Sequence, residues 1–449
     1  MTDFAILGGG PAGLMMALLL ARRGARCEVH ERRADPRLAA PEAGRSINLA
    51  LADRGLVALE HAGVRNAIAD LLVPMQGRGV HGADGSLQLV PYGQRPDEVI
   101  FSISRTALTR RLTEAAARQP GIALHFQSRC IGVDDAVLRP IVRGADGARS
   151  IIDAPRCIAA DGAGSAVRDA LVQRGRVSAS EAPLDHDYKE LVIPVRDGGP
   201  ALRTDALHIW PRGGFMLIAL PNADGSFTAT LFLAREGAVS FAALASPAAV
   251  EAFFAREFPS AAALIPDLAV QFARHPQGRL GTLHASPWNV GESLLLIGDA
   301  AHAIVPFHGQ GMNCAFEDCR LLDALLQHAP DDAFARFAAT RPRDSEAIAT
   351  MAIENYEEMR DGVRDPRFLL QKALSLELER RHPERFVPRY SMVMFRADVP
   401  YHVALERGLV QQQLLAELTE HARTLADVDY ALASSLIAER LPPLNAVRA

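Results

Sequence analysis

Hydrophobic spacing changes period several times along the chain. Residues 3–7 are a short apolar run that predicts a strand, 8–13 a glycine-rich turn, 11–23 a helix, and 26–31 a second strand. Strand, helix and strand in that order are a βαβ unit, which predicts a parallel sheet at the N-terminus. Residues 56–72 and 106–118 carry the apolar spacing of amphipathic helices. Between about 203 and 233 the texture differs, with apolar runs at 207–210, 215–220 and 227–233 split by Gly, Pro and Asn. That pattern predicts an antiparallel sheet, a separate module. Residues 294–297 form another buried strand ending at Gly298-Asp299. From Phe316 onward the spacing is helical, with breaks near Pro342, Pro366, Pro383 and Pro388.

At 449 residues the chain is too long for one core, so two or three packed units are expected. A hydrophobic fraction of 49% supplies those cores and excludes disorder. The 53 acidic and 48 basic residues leave a charge of −5, which gives nucleic acid no basic surface. The pairs Arg22-Arg23 and Arg32-Arg33 are expected to solvate helix ends and loops. Five cysteines, an odd number without a CxxC pair, fit neither a disulfide framework nor a zinc site. The uncharged stretch 4–21 approaches the length of a membrane span, but Gly8-Gly9-Gly10-Pro11 interrupts it and Asp3 precedes it. A soluble, cytoplasmic protein without a membrane partner is the expectation.

Gly8-Gly9-Gly10-Pro11-Ala12-Gly13 matches G-x-G-x-x-G. The motif is weak alone and gains weight because it follows a strand, opens a helix and has Glu31 ending the next strand. Gly8 permits the tight turn, Gly10 lets a pyrophosphate approach the backbone, and Gly13 allows close helix–strand packing. The helix N-terminus then faces the phosphates. Glu31 accepts from ribose hydroxyls and repels a 2′-phosphate, so the bound nucleotide is not NADP. Ala12 and Arg32 complete this candidate set.

Two later motifs narrow the dinucleotide. Cys157-Ile158-Ala159-Ala160-Asp161-Gly162 is an apolar strand running into Asp-Gly. Gly298-Asp299-Ala300-Ala301-His302 is followed by Pro306 and by Gly309-Gln310-Gly311-Met312-Asn313. With these three motifs in this order, the chain resembles the FAD-dependent aromatic hydroxylases related to para-hydroxybenzoate hydroxylase. The resemblance implies that Asp299 bonds the ribitol side of FAD and that Asp161 lies near the pyrophosphate. It also implies that Gly309, Gly311, Met312 and Asn313 sit beside the isoalloxazine ring, and that Arg105, in Ser102-Ile103-Ser104-Arg105, is a further flavin contact. The resemblance further implies that FAD is bound, that NADPH docks transiently without a Rossmann domain of its own, and that O2 is the second co-substrate. His302 is expected to pack rather than transfer protons. No metal is expected, since neither His302 nor His308 has ligand spacing.

The implied fold is α/β: a Rossmann-like FAD-binding domain of the para-hydroxybenzoate hydroxylase type, interleaved with an antiparallel-sheet substrate domain and followed by a C-terminal helical region. The expected boundaries are 1–75, 97–180 and 285–340 for the FAD domain, and 76–96 and 181–284 for the substrate domain. Residues 341–449 would cap the substrate pocket.

Further stretches, among them Gly44-Arg45-Ser46-Ile47-Asn48-Leu49-Ala50-Leu51, Leu207-His208-Ile209-Trp210-Pro211-Arg212 and Glu354-Asn355-Tyr356-Glu357-Glu358-Met359, resemble the kynurenine 3-monooxygenase family. That resemblance implies hydroxylation of L-kynurenine to 3-hydroxykynurenine through a flavin C4a-hydroperoxide, with no acid–base residue. Arg78 would be the cation for the substrate carboxylate, with Tyr92, Asn355 and Tyr390 adding hydrogen bonds. Ile218, Leu220, Phe232, Phe307 and Met359 would line an apolar slot, with His308 at its edge. Read without the resemblance, Arg78 is a surface arginine in a glycine-rich loop, and Tyr92 and Tyr390 are half-buried core tyrosines. Animal and fungal relatives carry a hydrophobic C-terminal anchor, whereas 402–449 is mixed and charged here. Another FAD hydroxylase of aromatic acids, a flavin redox sensor and a lipid double-bond reductase remain as rivals, and a homodimer is left open.

Overall fold

Strand β1 (Phe4–Leu7) is buried at all four positions, and the glycine turn after it leads directly into helix α1 (Pro11–Arg22). Residues 13–20 of that helix are all buried, so it lies between layers rather than on a surface. The computed structural model describes residues 2–38, 48–196, 198–360 and 365–447. The stretch 44–47 of one quoted motif lies outside them.

After β2 (Cys27–Glu31) come β3 (Asn48–Leu51), α2 (Asp53–His61), β4 (Val73–Met75), β5 (Gly77–His81), β6 (Leu87–Pro91), β7 (Ile100–Ser104) and α3 (Arg105–Ala117). They are followed by β8 (Ile122–Phe126), β9 (Arg129–Val133), β10 (Pro140–Arg143), β11 (Arg149–Ile151), β12 (Arg156–Ala159) and α4 (Ala166–Gln173). The long β13 (Ser178–Ile193) precedes β14 (Ala206–Pro211), β15 (Met216–Pro221) and β16 (Phe227–Ala234). Three short helices, α5 (Pro247–Glu257), α6 (Pro259–Ala262) and α7 (Leu268–Arg274), lead to β17 (Gln277–Ser286), β18 (Asn289–Val290) and β19 (Leu294–Leu296). The rest is helical: α8 (Gly311–His328), α9 (Ala333–Thr340), α10 (Pro342–Arg360), α11 (Pro366–Arg381), α12 (Arg389–Phe395), α13 (Tyr401–Leu418) and α14 (Tyr430–Arg440).

A six-stranded sheet has the order β18-β19-β12-β1-β2-β8 and is parallel except at β18. Its register sets Leu7 beside Ala159 and Ala159 beside Leu296. The carboxyl ends of three strands therefore deliver Gly8, Asp161 and Gly298 to one edge, the position where open α/β sheets bind ligands. A seven-stranded sheet, β17-β13-β16-β15-β14-β5-β6, is antiparallel except where β5 runs parallel to β14. Alternation divides its side chains. Leu217, Ala219, Phe227 and Leu231 pack with Phe254 and Phe258 of the α5–α6 stretch, while Met216, Ile218 and Phe232 face Phe307 and Tyr356.

Three details depart from the sequence-based expectations. The helix expected at 56–72 begins at Asp53 and stops at His61, because Gly63 has φ +70°; a 3-10 turn, Asn66–Leu71, follows. Helices α5–α7 and the length of β13 were not anticipated. Arg23 does not merely solvate a helix end, since it pairs with Asp323 of α8. Among the described residues, no helix is long and apolar enough to cross a membrane.

The C-terminal helices are fastened to the dinucleotide domain by buried charge. Arg341 Nε donates to Asp318 Oδ1 at 2.7 Å, and its Nη2 lies 2.8 Å from Glu317 Oε2, an ion pair without hydrogen-bond angles. Glu317 Oε1 in turn accepts from Arg54 Nη1 of α2 at 2.7 Å. Burial alone would lower the pKa of the Arg341 guanidinium, but Glu317, Cys314, Asp318 and Asp344 raise it well above its usual value. Removing one member of such a network strands the others as uncompensated buried charge. Arg341→Met is expected to lower stability by about 3–5 kcal/mol, read as a drop in the urea midpoint of the purified protein; an unchanged midpoint would show that the network contributes nothing.

Candidate active site

At the first edge, local sterics dictate glycine. A Cβ on Gly13 would lie 1.9 Å from the Gly8 carbonyl oxygen, and one on Gly8, where φ is +109°, would lie 2.4 Å from the Ala160 oxygen. Around Gly10, by contrast, nothing lies within 4 Å of an added Cβ. The loop is thus tight towards the protein and open outwards. Gly10 offers no side-chain cap to α1, whose first turn carries no acidic residue, so its positive end is available to an anion. Glu31 Oε2 accepts from Gly9 N–H and Oε1 from Arg33 N–H, both at 2.8 Å, which fixes the carboxylate beside the loop. Arg32 is exposed just beyond β2.

The other two motifs meet this loop. A Cβ on Gly298 would come 3.2 Å from that of Ala315 and 3.7 Å from that of Ala12, so Asp299 follows at the first turn of α1, half-buried. Gly298 N–H is held by Asp318 Oδ2 at 3.1 Å, and the same oxygen takes His302 Nε2 at 2.7 Å. His302 stacks on Trp288 at 4.9 Å, a packing and anchoring position. Asp161 Oδ1 is buried without a hydrogen-bond partner, and burial raises the pKa of this carboxyl.

Gly309 takes φ +68° and ends the turn before α8, bringing the loop against Ala50 of β3. Asn313 Oδ1 accepts from Ala52 N–H at 2.9 Å, while Nδ2 donates to the Ala50 and Gly309 carbonyls at 2.8 and 2.9 Å. Its amide is therefore spent on shaping the loop, and the N–H groups of Gly311 and Met312 are what the α8 N-terminus presents. Arg105 is exposed at the start of α3, and its charge acts on Tyr188 and Glu190 of β13. Glu190 is buried, and desolvation, opposed by Arg105, pushes its carboxyl up to about 7.

Arg78 is not on a loop. It lies in β5, 8% exposed, with its guanidinium 5.1 Å from the Tyr390 ring centroid and 5.7 Å from that of Tyr92. The two tyrosine rings stack at 5.9 Å, and His308 stacks on Tyr390 at 5.3 Å. Among the described residues, no carboxylate lies within ion-pair distance of Arg78. Burial works to lower its pKa, yet Tyr390, Tyr92 and Glu358 hold it above the usual value. His308 is held down at about 3, first by burial and then by the charges of Arg78, Arg389 and Arg54. Beyond this polar end, Phe232 and Phe307 meet at 4.9 Å and Phe307 stacks on Tyr356 at 3.9 Å, with Met359 buried and Ile218 half-buried beside them. Leu220 packs on the Tyr92 side. Asn355 Nδ2 donates to the Phe307 carbonyl at 2.7 Å and touches Met359 Sδ.

An FAD binding domain family matches residues 1–350. Kynurenine 3-monooxygenase of Stenotrophomonas maltophilia is 48% identical over 447 residues, spanning 99% of this chain and 98% of that protein. The Xanthomonas campestris pv. campestris enzyme of the same name is 47% identical over 98% of this chain and 97% of its own. This chain belongs to the kynurenine 3-monooxygenase family. Among solved structures, 2-methyl-3-hydroxypyridine-5-carboxylic acid oxygenase superposes with TM-score 0.64 at 19% identity, over 84% of this chain and 98% of that one. Pseudomonas putida p-nitrophenol 4-monooxygenase PnpA does so with TM-score 0.64 at 16% identity, over 92% and 98%. These share the flavin monooxygenase fold.

The residues fit FAD. The outward-open Gly10, the uncapped helix ends and the unpartnered Asp161 oxygen are what a pyrophosphate and polar ribityl chain satisfy. Sequence reasoning missed Tyr188, Glu190 and Tyr356. Tyr356 stood inside a quoted motif, whereas the two β13 residues have no local signal and face the site only through sheet alternation.

Two outcomes follow from these contacts. Gly13→Ala, which forces a methyl into the Gly8 carbonyl, is expected to yield protein lacking FAD, measured as lost absorbance near 450 nm; normal flavin content would show that the loop can shift. Glu190 has a folded-state pKa raised from 4.5 to about 7, so its stabilising effect is complete below the unfolded value and is lost as pH rises through about 7. Glu190→Gln should therefore flatten the fall in melting temperature between those two values, and a retained slope would assign it to another group.

Proposed function

We propose that this chain hydroxylates L-kynurenine at the ring carbon next to the amine, using NADPH and O2. The observation that carries the reading is Arg78, a buried cation with no carboxylate within ion-pair distance among the described residues, at the polar end of an aromatic-lined slot. A buried unpaired charge is costly, so the site is built for an anion that arrives with the substrate. Tyr92 and Tyr390 flank the guanidinium and supply hydroxyls to the same carboxylate. Because Asn355 Nδ2 is already committed to the Phe307 carbonyl, its remaining oxygen suits the substrate's ammonium group. Ile218, Phe232, Phe307, Tyr356 and Met359 then hold the ring and exclude water.

Bound FAD supplies the relay of electrons from NADPH and the activation of dioxygen. Gly8, Gly10, Gly13 and Glu31 would hold its nucleotide end, Asp161 and Asp299 its middle, and the 309–313 loop with Arg105 its flavin end. The substrate amine donates electrons into the ortho position, so the protein needs no strong base. His308, neutral at ordinary pH, acts as a packing group on Tyr390 rather than a proton carrier. What remains to the protein is orientation, for which the carboxylate anchor is the fixed point.

The test is NADPH oxidation with and without L-kynurenine, with the product identified by mass. Stimulated oxidation and a product one oxygen heavier are expected. Arg78→Ala should raise KM by about 10- to 100-fold, the size of a lost charge-assisted contact of 1.5–3 kcal/mol, with FAD retained. Yellow protein indifferent to kynurenine would end this reading in favour of another aromatic acid.

A further inference from the structure

On the far side of the parallel sheet from the glycine loop's helix, three side chains converge that the hydroxylase reading does not use. His30 on β2 and His125 on the edge strand β8 are register partners, and Glu28 lies two residues before His30 on the same face. Glu28 Oε1 is 3.7 Å from His30 Nε2, and Oε2 is 3.9 Å from His125 Nε2. All three ligand atoms lie within 4.8 Å of one another. These separations are too long for hydrogen bonds and wider than the roughly 3.3 Å between ligand atoms around a tetrahedral ion with bonds of about 2.0–2.1 Å, so the group closes inward on loading.

His30 gives the second observation. Its residue is 9% exposed, and its Nε2 is buried without a hydrogen-bond partner. Its other nitrogen, Nδ1, meets Ser128 Oγ at 2.8 Å, which fixes the ring with Nε2 3.7 Å from the Glu28 carboxylate. A buried, oriented and unsatisfied imidazole nitrogen is the arrangement in which a metal-ligating histidine is held by an outer partner. The His30 and His125 rings stack at 4.8 Å with planes 15° apart, so His125, with 46% of its side chain exposed, turns out of the stack to bring its Nε2 to the ion and supplies the route of entry.

We infer that Glu28, His30 and His125 form a binding site for one borderline divalent ion, zinc above all, with a water completing the shell. Two imidazoles and one carboxylate favour zinc, nickel or cobalt over magnesium and calcium, which want oxygen. A second group of such residues among those described, the buried His302, Cys314 and Asp318, is different: Asp318 already meets both His302 and Arg341, so its charge is satisfied. An ion at the β2 site clips edge strand β8 to β2, whose last residue, Glu31, holds Gly9 N–H. Loading therefore stabilises the dinucleotide domain, whatever aromatic acid the enzyme takes.

The experiment titrates FAD-loaded full-length protein, stripped with a chelator, with zinc chloride by calorimetry and follows its melting temperature. One zinc per chain and a raised melting temperature are expected, with no effect of magnesium. His125→Ala, at a largely exposed position that keeps FAD content as a check on folding, should abolish uptake. Ser128→Ala should weaken it about 10-fold or more by freeing the His30 ring. Equal uptake by wild type and His125→Ala, or no uptake by wild type with zinc in excess, overturns the proposal.

Discussion

Arg341 meets Glu317, Asp318 and Asp344 from one buried guanidinium. Everything around the flavin end depends on that arrangement. Asp318 holds the Gly298 N–H and His302, Glu317 holds Arg54, and Arg54 lies 3.9 Å from the Tyr401 ring, whose hydroxyl donates to Gln310 at the head of α8. A network of this kind adds little net stability relative to an apolar core, because desolvation offsets much of its Coulomb energy. Its value lies in specificity: the charges are satisfied in one relative placement of α2, α8, α10 and α13. That placement sets the 306–313 loop against β3.

The proposed substrate site is a gradient built from the seven-stranded sheet, the 306–308 turn and a helical cap. Strand β5 contributes the cation, α12 and the turn after β6 contribute the tyrosines, and β15, β16 and α10 contribute the apolar wall. The dipeptide Phe307-His308 sits at the change of polarity, Phe307 stacked on Tyr356 and His308 on Tyr390. Low dielectric around Arg78 would strengthen its grip on the carboxylate proposed for it, and it keeps His308 neutral. One local environment therefore favours binding over proton transfer.

Much of this was legible in the chain. The βαβ unit, the three dinucleotide motifs in order, the antiparallel strands and the helical end all rest on local rules of period and turn chemistry, and those rules act within a few residues. The glycines were legible for the same reason, since a turn that excludes Cβ leaves no other residue. Motif resemblance added the family, which relatives 47–48% identical over nearly the whole chain then showed.

Tertiary structure decided the rest. Arg78 alone reads as a surface loop residue, and only the pairing of β5 with β14 buries it between two tyrosines, Tyr92 and Tyr390, from distant parts of the chain. Asn313 spends its side-chain amide on the backbone of Ala50, Ala52 and Gly309, because β3 runs beside it. Glu190 and His125 carry no signal in their own neighbourhoods; tertiary packing brings the charge of Arg105, at the start of α3, to one, and strand register brings the other to His30. Period and turn preference are properties of short segments, whereas burial, charge pairing and the convergence of side chains are set by which distant segments pack together.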